Sequence, residues 1–195
     1  MPETSSSPNP STPAAGKVRR EIRYDAVAAV IAALVGMLAL LVAGYTAYIQ
    51  RQQVRAQVWP YMMMADSDNS SEYMWFNKGV GPAQVKTLQA FVGGKPQRNW
   101  ADVFRSMQLE SIPYGQSTLN GDVLSAGEKL DWLQFKDHHD FQRFRDAAHR
   151  MQLDFRVCYC STLGDCWMNE SAKGWNNRRS VGKCPAMPES QQFDD

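Results

Sequence analysis

Apolar residues run without a single charge from Ala26 to Ile49, AVAAVIAALVGMLALLVAGYTAYI, and beyond them the chain breaks into short apolar stretches separated by polar clusters. The long run matches the roughly 20 residues, at about 1.5 Å each, that carry a helix across a bilayer. It is apolar all round, where a core helix would keep a polar stripe, and it therefore predicts a membrane span. A cleaved signal peptide has an apolar middle of only about 7–15 residues. The longer run here, the long leader before it and the bulky Tyr45 near any cleavage point favour a retained anchor.

The short stretches read differently. VWPYMMM (58–64), EYMWF (72–76), KLDWLQF (129–135) and LDFRVCYC (153–160) are rich in aromatic or β-branched residues and bounded by Asp, Asn, Ser, Gly or Pro, which predicts strands. Asn120-Gly121, ahead of KLDWLQF, accepts the positive φ of a tight turn. Two helices interrupt the strands. In NWADVFRSM, Trp100, Val103, Phe104 and Met107 share one helical face behind a capping Asn99. From His138 to about Met151, Phe141, Phe144, Ala148 and Met151 form the apolar stripe, with Asp137 at the N-cap and Asp140 in the first turn. Residues 83–92 fit a helix after Pro82 or a strand, and Val85, Thr87, Phe91 and Val92 lean toward strand. The expected fold is mainly β, a single N-terminal transmembrane helix followed by a small immunoglobulin-like β-sandwich with two short helices. An α+β arrangement is the runner-up.

The loop FNKGVGPAQV (76–85) looks at first like a phosphate cradle. Such cradles need GxxxxGK[ST], or GxGxxG opening a helix, so that backbone N–H groups converge on the anion. GVGPAQV lacks both the third glycine and the Lys-Ser/Thr pair. The structural expectation is that Gly79 and Gly81 take backbone angles closed to other residues while Pro82 fixes its own φ, making a bend between strands.

Charge adds an orientation. Lys17, Arg19, Arg20 and Arg23 precede the span, against Arg51 and Arg55 after it. The side richer in Lys and Arg normally stays in the cytoplasm, so the carboxyl side is expected to be exported. From Gln50 onward seven Lys and ten Arg balance seventeen acidic residues, so the formal +1 belongs to the amino-terminal part. Neutrality and export both argue against nucleic acid as a partner. The chain divides by composition into a disordered tail with a basic juxtamembrane end (1–24), the span (25–49), a helical linker (50–57), the β-rich domain (58–185) and a second disordered tail (186–195).

All four cysteines lie beyond the span, where oxidising conditions make disulfides durable. Along 153–160, Leu153, Phe155, Val157 and Tyr159 alternate onto the core face, which places Cys158 and Cys160 on the polar side. Neighbours two apart on a strand are poorly placed to bond each other. The loop 161–165 can bring Cys166 opposite Cys160, leaving Cys158 for Cys184; the crossed pairing of Cys158 with Cys166 and Cys160 with Cys184 stays open on spacing alone. The spacing C-x-C-x5-C-x17-C is unlike that of structural zinc, and a redox-active Cys158/Cys160 pair would need a lowered thiol pKa, with only Arg156 as a nearby cation. His138, His139 and His149 read as helix-surface residues. DSDNSSE (66–72) lacks the Gly and Glu of a calcium loop and reads as a hairpin tip. No metal, cofactor or catalytic residue is expected.

VWPY after a membrane span, N-x-G-x-G-P-A at Asn77 to Ala83 and YCSTLGDCW at Tyr159 to Trp167 resemble a family of uncharacterised bacterial single-pass membrane proteins. The likeness covers most of 58–167. It implies a membrane-anchored exported domain with a strand after GPA, and it brings no activity or catalytic residue. The expected function is a non-enzymatic interaction or scaffolding domain of the cell envelope with an unidentified envelope protein as partner; a thiol-disulfide protein and a small-ligand or lipid-binding module are the alternatives. Ala28, Ala32 and Gly36, four apart on one face of the span, bring a homodimer within reach.

The orientation is testable directly. A reporter active only in the periplasm, fused after Asp195, should be active. Activity from a cytoplasmic reporter at that point instead would overturn the export reading.

Overall fold

The computed structural model describes residues 24–174, 177–188 and 191–195. The amino-terminal tail and its four basic residues therefore lie outside the described residues, apart from Tyr24. Two compact units follow from the contacts, Met1–Tyr48 and Ile49–Asp195. Helix α1, Tyr24–Gln57, is long and apolar enough to cross a membrane, and none of its residues is buried.

The second unit is mainly β. Its elements run β1 (Met62–Ser67), β2 (Glu72–Asn77), β3 (Ala83–Val92), β4 (Lys95–Gln97), α2 (Trp100–Ser106), β5 (Tyr114–Gln116), β6 (Val123–Leu124), β7 (Lys129–Phe135), α3 (His138–Arg150), β8 (Leu153–Cys160), β9 (Cys166–Glu170) and β10 (Arg178–Val181). They form two sheets with antiparallel pairing throughout. One has the order β1-β2-β7-β5, the other β10-β9-β8-β3-β4, with β6 pairing the first two residues of β3 on its side away from β8.

Residues 83–92, ambiguous by pattern, are a strand because β8 pairs with them from Gln84↔Cys160 to Val92↔Leu153. A register shift between Val85 and Thr87 leaves Lys86 exposed and turns Val85, Leu88, Ala90 and Val92 into the core. The turn to β4 uses Gly93 and Gly94, both at positive φ, as a two-residue hairpin of this hand requires. Both helices carry the expected caps. Asn99 accepts a hydrogen bond from the Asp102 N–H at 2.9 Å, and Asp137 accepts one from the His139 N–H at 2.8 Å.

The strand expected over 58–64 begins only at Met62. Pro60 has no N–H to give a ladder, and residues 58–61 bond to the glycine loop instead of to a strand.

A cluster of large aromatic side chains joins the two sheets. Trp132 of β7 sits 4.7 Å from Trp100 of α2 and 4.7 Å from Phe155 of β8, ring centre to ring centre, both edge-on. Trp75 of β2 meets Trp132 at 6.0 Å. Such pairs contribute about 0.5–1.5 kcal/mol beyond the area they bury.

The carboxyl-terminal residues correct an expectation. Residues 186–195 read as a disordered tail because they are polar, yet Phe193 is 0 % exposed and its ring lies 5.3 Å from that of Trp100. Its N–H donates to the Leu88 carbonyl at 2.9 Å. The Asp195 carboxylate accepts from the N–H groups of Leu119 at 2.8 Å and Asn120 at 3.2 Å, and from the Trp132 indole. Burial outweighs these bonds and holds the Asp195 carboxyl above its usual titration range. A single aromatic residue in a polar run was too weak a signal to announce this latch.

Phe193→Ala should cost about 3–5 kcal/mol, as buried aromatic truncations do. Chemical denaturation followed by tryptophan fluorescence would measure it. A change within about 0.5 kcal/mol, the value for an exposed site, would mean that the tail is not part of the core.

Candidate functional site

The three sequence motifs meet where the chain leaves α1. Asn77, the last residue of β2, is 0 % exposed and uses all four hydrogen-bonding positions of its amide. Its Oδ1 accepts from the N–H of Tyr61 at 3.1 Å and of Gly79 at 3.0 Å; its Nδ2 donates to the carbonyls of Gly81 at 2.8 Å and Leu124 at 3.0 Å. One side chain thus ties together the segment after the helix, the glycine loop and β6.

The backbone completes the contact. The Lys78 N–H donates to the Tyr61 carbonyl at 2.7 Å, and the Val80 N–H to that of Trp59 at 3.0 Å. Here the reason for the glycines differs from the one expected. Neither Gly79 nor Gly81 has a positive φ. A Cβ on Gly79 would lie 2.4 Å from the Trp59 carbonyl oxygen, and one on Gly81 would lie 2.2 Å from the Val58 carbonyl carbon. Close approach of residues 58–61, rather than backbone angle, excludes any side chain. The VWPY and NxGxGPA motifs are two halves of one contact, and no phosphate cradle is formed.

The third motif holds the same segment from the other side. The Met62 N–H donates to the Tyr159 hydroxyl at 3.3 Å, and Asn169 Nδ2 donates to the Met62 carbonyl at 3.3 Å. Burial pushes the Tyr159 hydroxyl pKa up, so it stays protonated. Trp167 stacks on Tyr159 at 5.9 Å. Arg178 of β10 lies 4.3 Å from the Trp59 ring and 4.2 Å from the Tyr61 ring, a cation held over two aromatic faces.

The cysteines form two bridges, Cys160 with Cys166 and Cys158 with Cys184. The first closes the β8–β9 hairpin, whose turn is set by Ser161: its N–H donates to the Asp165 carbonyl at 2.8 Å and its hydroxyl accepts from the N–H groups of Leu163 and Asp165, both at 3.2 Å. The second fastens the chain beyond β10 to the outer face of β8. That face was expected to be polar and open, yet Cys158 is 0 % and Cys160 7 % exposed, because the bridges and the returning chain cover it. The two bridges are the pairs expected from the hairpin geometry, and Cys158 and Cys160, which the thiol-disulfide alternative would use as a redox pair, are each bonded to another partner. The Sγ atoms of Cys160 and Cys184 approach to 3.6 Å, so the two bridges pack against each other.

No family model, no curated protein and no solved structure matches the chain. Sequence reasoning found the residues of this contact as motifs but missed Asn169 and Arg178, whose partners lie more than a hundred residues away. No local pattern marks either of them.

Gly81→Ala should destabilise the domain by about 3 kcal/mol or more, since the clashing atoms all belong to the Val58 backbone and cannot swing aside. Gly115→Ala is the control, because its Cβ would meet only the Gln134 side chain at an ordinary 3.9 Å. Its effect should stay within about 1 kcal/mol. Thermal melting of the two variants checks the difference, and equal losses would contradict the close-approach explanation.

Proposed function

We propose that the chain is a non-enzymatic, membrane-anchored interaction or scaffolding domain of the bacterial cell envelope. In this proposal α1 crosses the inner membrane once with its amino end in the cytoplasm, and the disulfide-bridged body lies in the periplasm. The body is taken as an immunoglobulin-like sandwich in general character, supported by two antiparallel sheets that contribute to one core. Its protein partner is an envelope component.

The observation that carries the proposal is the fixing of residues 58–62 immediately after α1. A buried network holds these first residues of the body against β2, the glycine loop and β8. A body whose first segment is packed into its own fold in this way suits a domain that offers a fixed surface to a partner. The formally neutral composition beyond the span and the two bridges agree with an exported structural role.

Three exposed apolar residues, Val80, Val123 and Leu163, lie in the loops and the short strand at the end of the larger sheet where β3 begins and β8 ends. A photoreactive residue placed at each, in cells producing the full chain at native level, should give one discrete protein adduct. Thiol titration of the same native protein should find no free thiol. Absence of adducts at all three positions would overturn the scaffolding proposal, and reactive thiols on Cys158 and Cys160 would replace it by the thiol-disulfide one.

A further inference from the structure

Away from that joint, a cleft of about 410 Å³ opens between β1, the carboxyl end of α3 and the start of β8. Its size falls within the roughly 300–1,000 Å³ of small-ligand pockets. Met64 and Phe155 give it an apolar wall, while Tyr73, His149, Asp154 and Ser171 supply polar groups.

Asp154 supplies the acceptor-only group, while the Tyr73 and Ser171 hydroxyls, the His149 ring and the Gln152 amide can each donate or accept. Asp154 is half-buried and accepts a single 3.4 Å hydrogen bond from the Ser171 hydroxyl, whose oxygen in turn accepts from the Phe155 N–H at 2.7 Å. Ser171 is thereby fixed in place and holds the carboxylate at the cleft. Among the described residues Asp154 makes no ion pair. Arg156, two residues along the strand, lies over the Phe91 ring at 4.5 Å, and Arg145 is taken up by Asp66 and Asp68. Burial raises the Asp154 carboxyl pKa, against the lowering effects of the Ser171 hydrogen bond and of the Arg156 charge. The end of α3 that lines the cleft is its carboxyl end, where the helix's partial negative charge is accompanied by the basic side chains of His149 and Arg150. Tyr73 is kept protonated by burial first and by Asp66 next, so its hydroxyl remains neutral.

An apolar wall beneath a carboxylate and a helix carboxyl end calls for a ligand that is positive at one end and apolar at the other. We propose that this cleft binds a small organic cation, an alkyl- or arylammonium whose N–H groups face Asp154 and whose body lies against Met64 and Phe155. The site is independent of the protein–protein role proposed above.

The probes are phenethylamine, its neutral counterpart 2-phenylethanol and the anion phenylacetate, titrated by calorimetry into the full chain in lipid nanodiscs. The amine should bind at least about tenfold more tightly than either analogue. Asp154→Asn should remove that preference while leaving the melting temperature unchanged. Ala172→Trp, at an exposed position on the rim, should block all three probes by filling the cleft. Equal binding of the three probes, no binding at about 10 mM, or an amine preference that survives both substitutions, as partition into the bilayer would give, overturns the proposal.

Discussion

The amide of Asn77 is the constraint from which most of the body's arrangement follows. A primary amide buried without partners costs several kcal/mol, and one whose donors and acceptors are all used fixes every group it touches. Because Oδ1 and Nδ2 face opposite requirements, the Tyr61 and Gly79 N–H groups must lie on one side and the Gly81 and Leu124 carbonyls on the other. That condition sets the path of residues 58–61, the turn from β2 to β3 and the position of β6 together. It also leaves no room for a side chain on Gly79 or Gly81. The register of β1 on β2, beginning at Met62↔Asn77, starts from the same residue.

From there the two sheets are joined through their inner faces, while the outer face of the larger sheet is closed separately. Inside, Trp75, Trp100, Trp132, Phe155 and Phe193 bring β2, α2, β7, β8 and the carboxyl terminus into one aromatic cluster. Outside, the face of β8 carrying Cys158 and Cys160 is closed by covalent bonds. The Cys158–Cys184 bridge spans 26 residues against 6 for Cys160–Cys166. On loop entropy alone the longer one should stabilise by about 1 kcal/mol more.

What was legible in the sequence was local. An uncharged run of apolar residues, a capping Asn99 or Asp137, and a Cys-x5-Cys hairpin each state their structure within a few neighbours, and the corresponding helix, caps and bridge are present. The four most strongly patterned strands were legible too, but not the two- and three-residue strands β4, β5 and β6, which exist only because a longer neighbour offers them a partner. The non-local parts were hidden. Nothing near Gly81 says that Val58 passes 2.2 Å from its would-be Cβ, so its need for glycine was assigned to backbone angle. Likewise Phe193 looks like a stray apolar residue until Trp100 and Trp132 are placed around it. The cleft at Asp154 draws on β1, β2, α3, β8 and the turn after β9, and no stretch of sequence shorter than the whole domain contains it.

Native-state hydrogen exchange tests the role of Asn77 most directly. If its amide locks the joint, the N–H groups of Tyr61, Lys78 and Val80 are released only when the whole domain unfolds, and they should exchange with the same free energy as the central β3 and β8 amides. Exchange of these three through a local opening several kcal/mol below that of β3 and β8 would contradict the account, since the segment after α1 would then be a loose linker resting on the body.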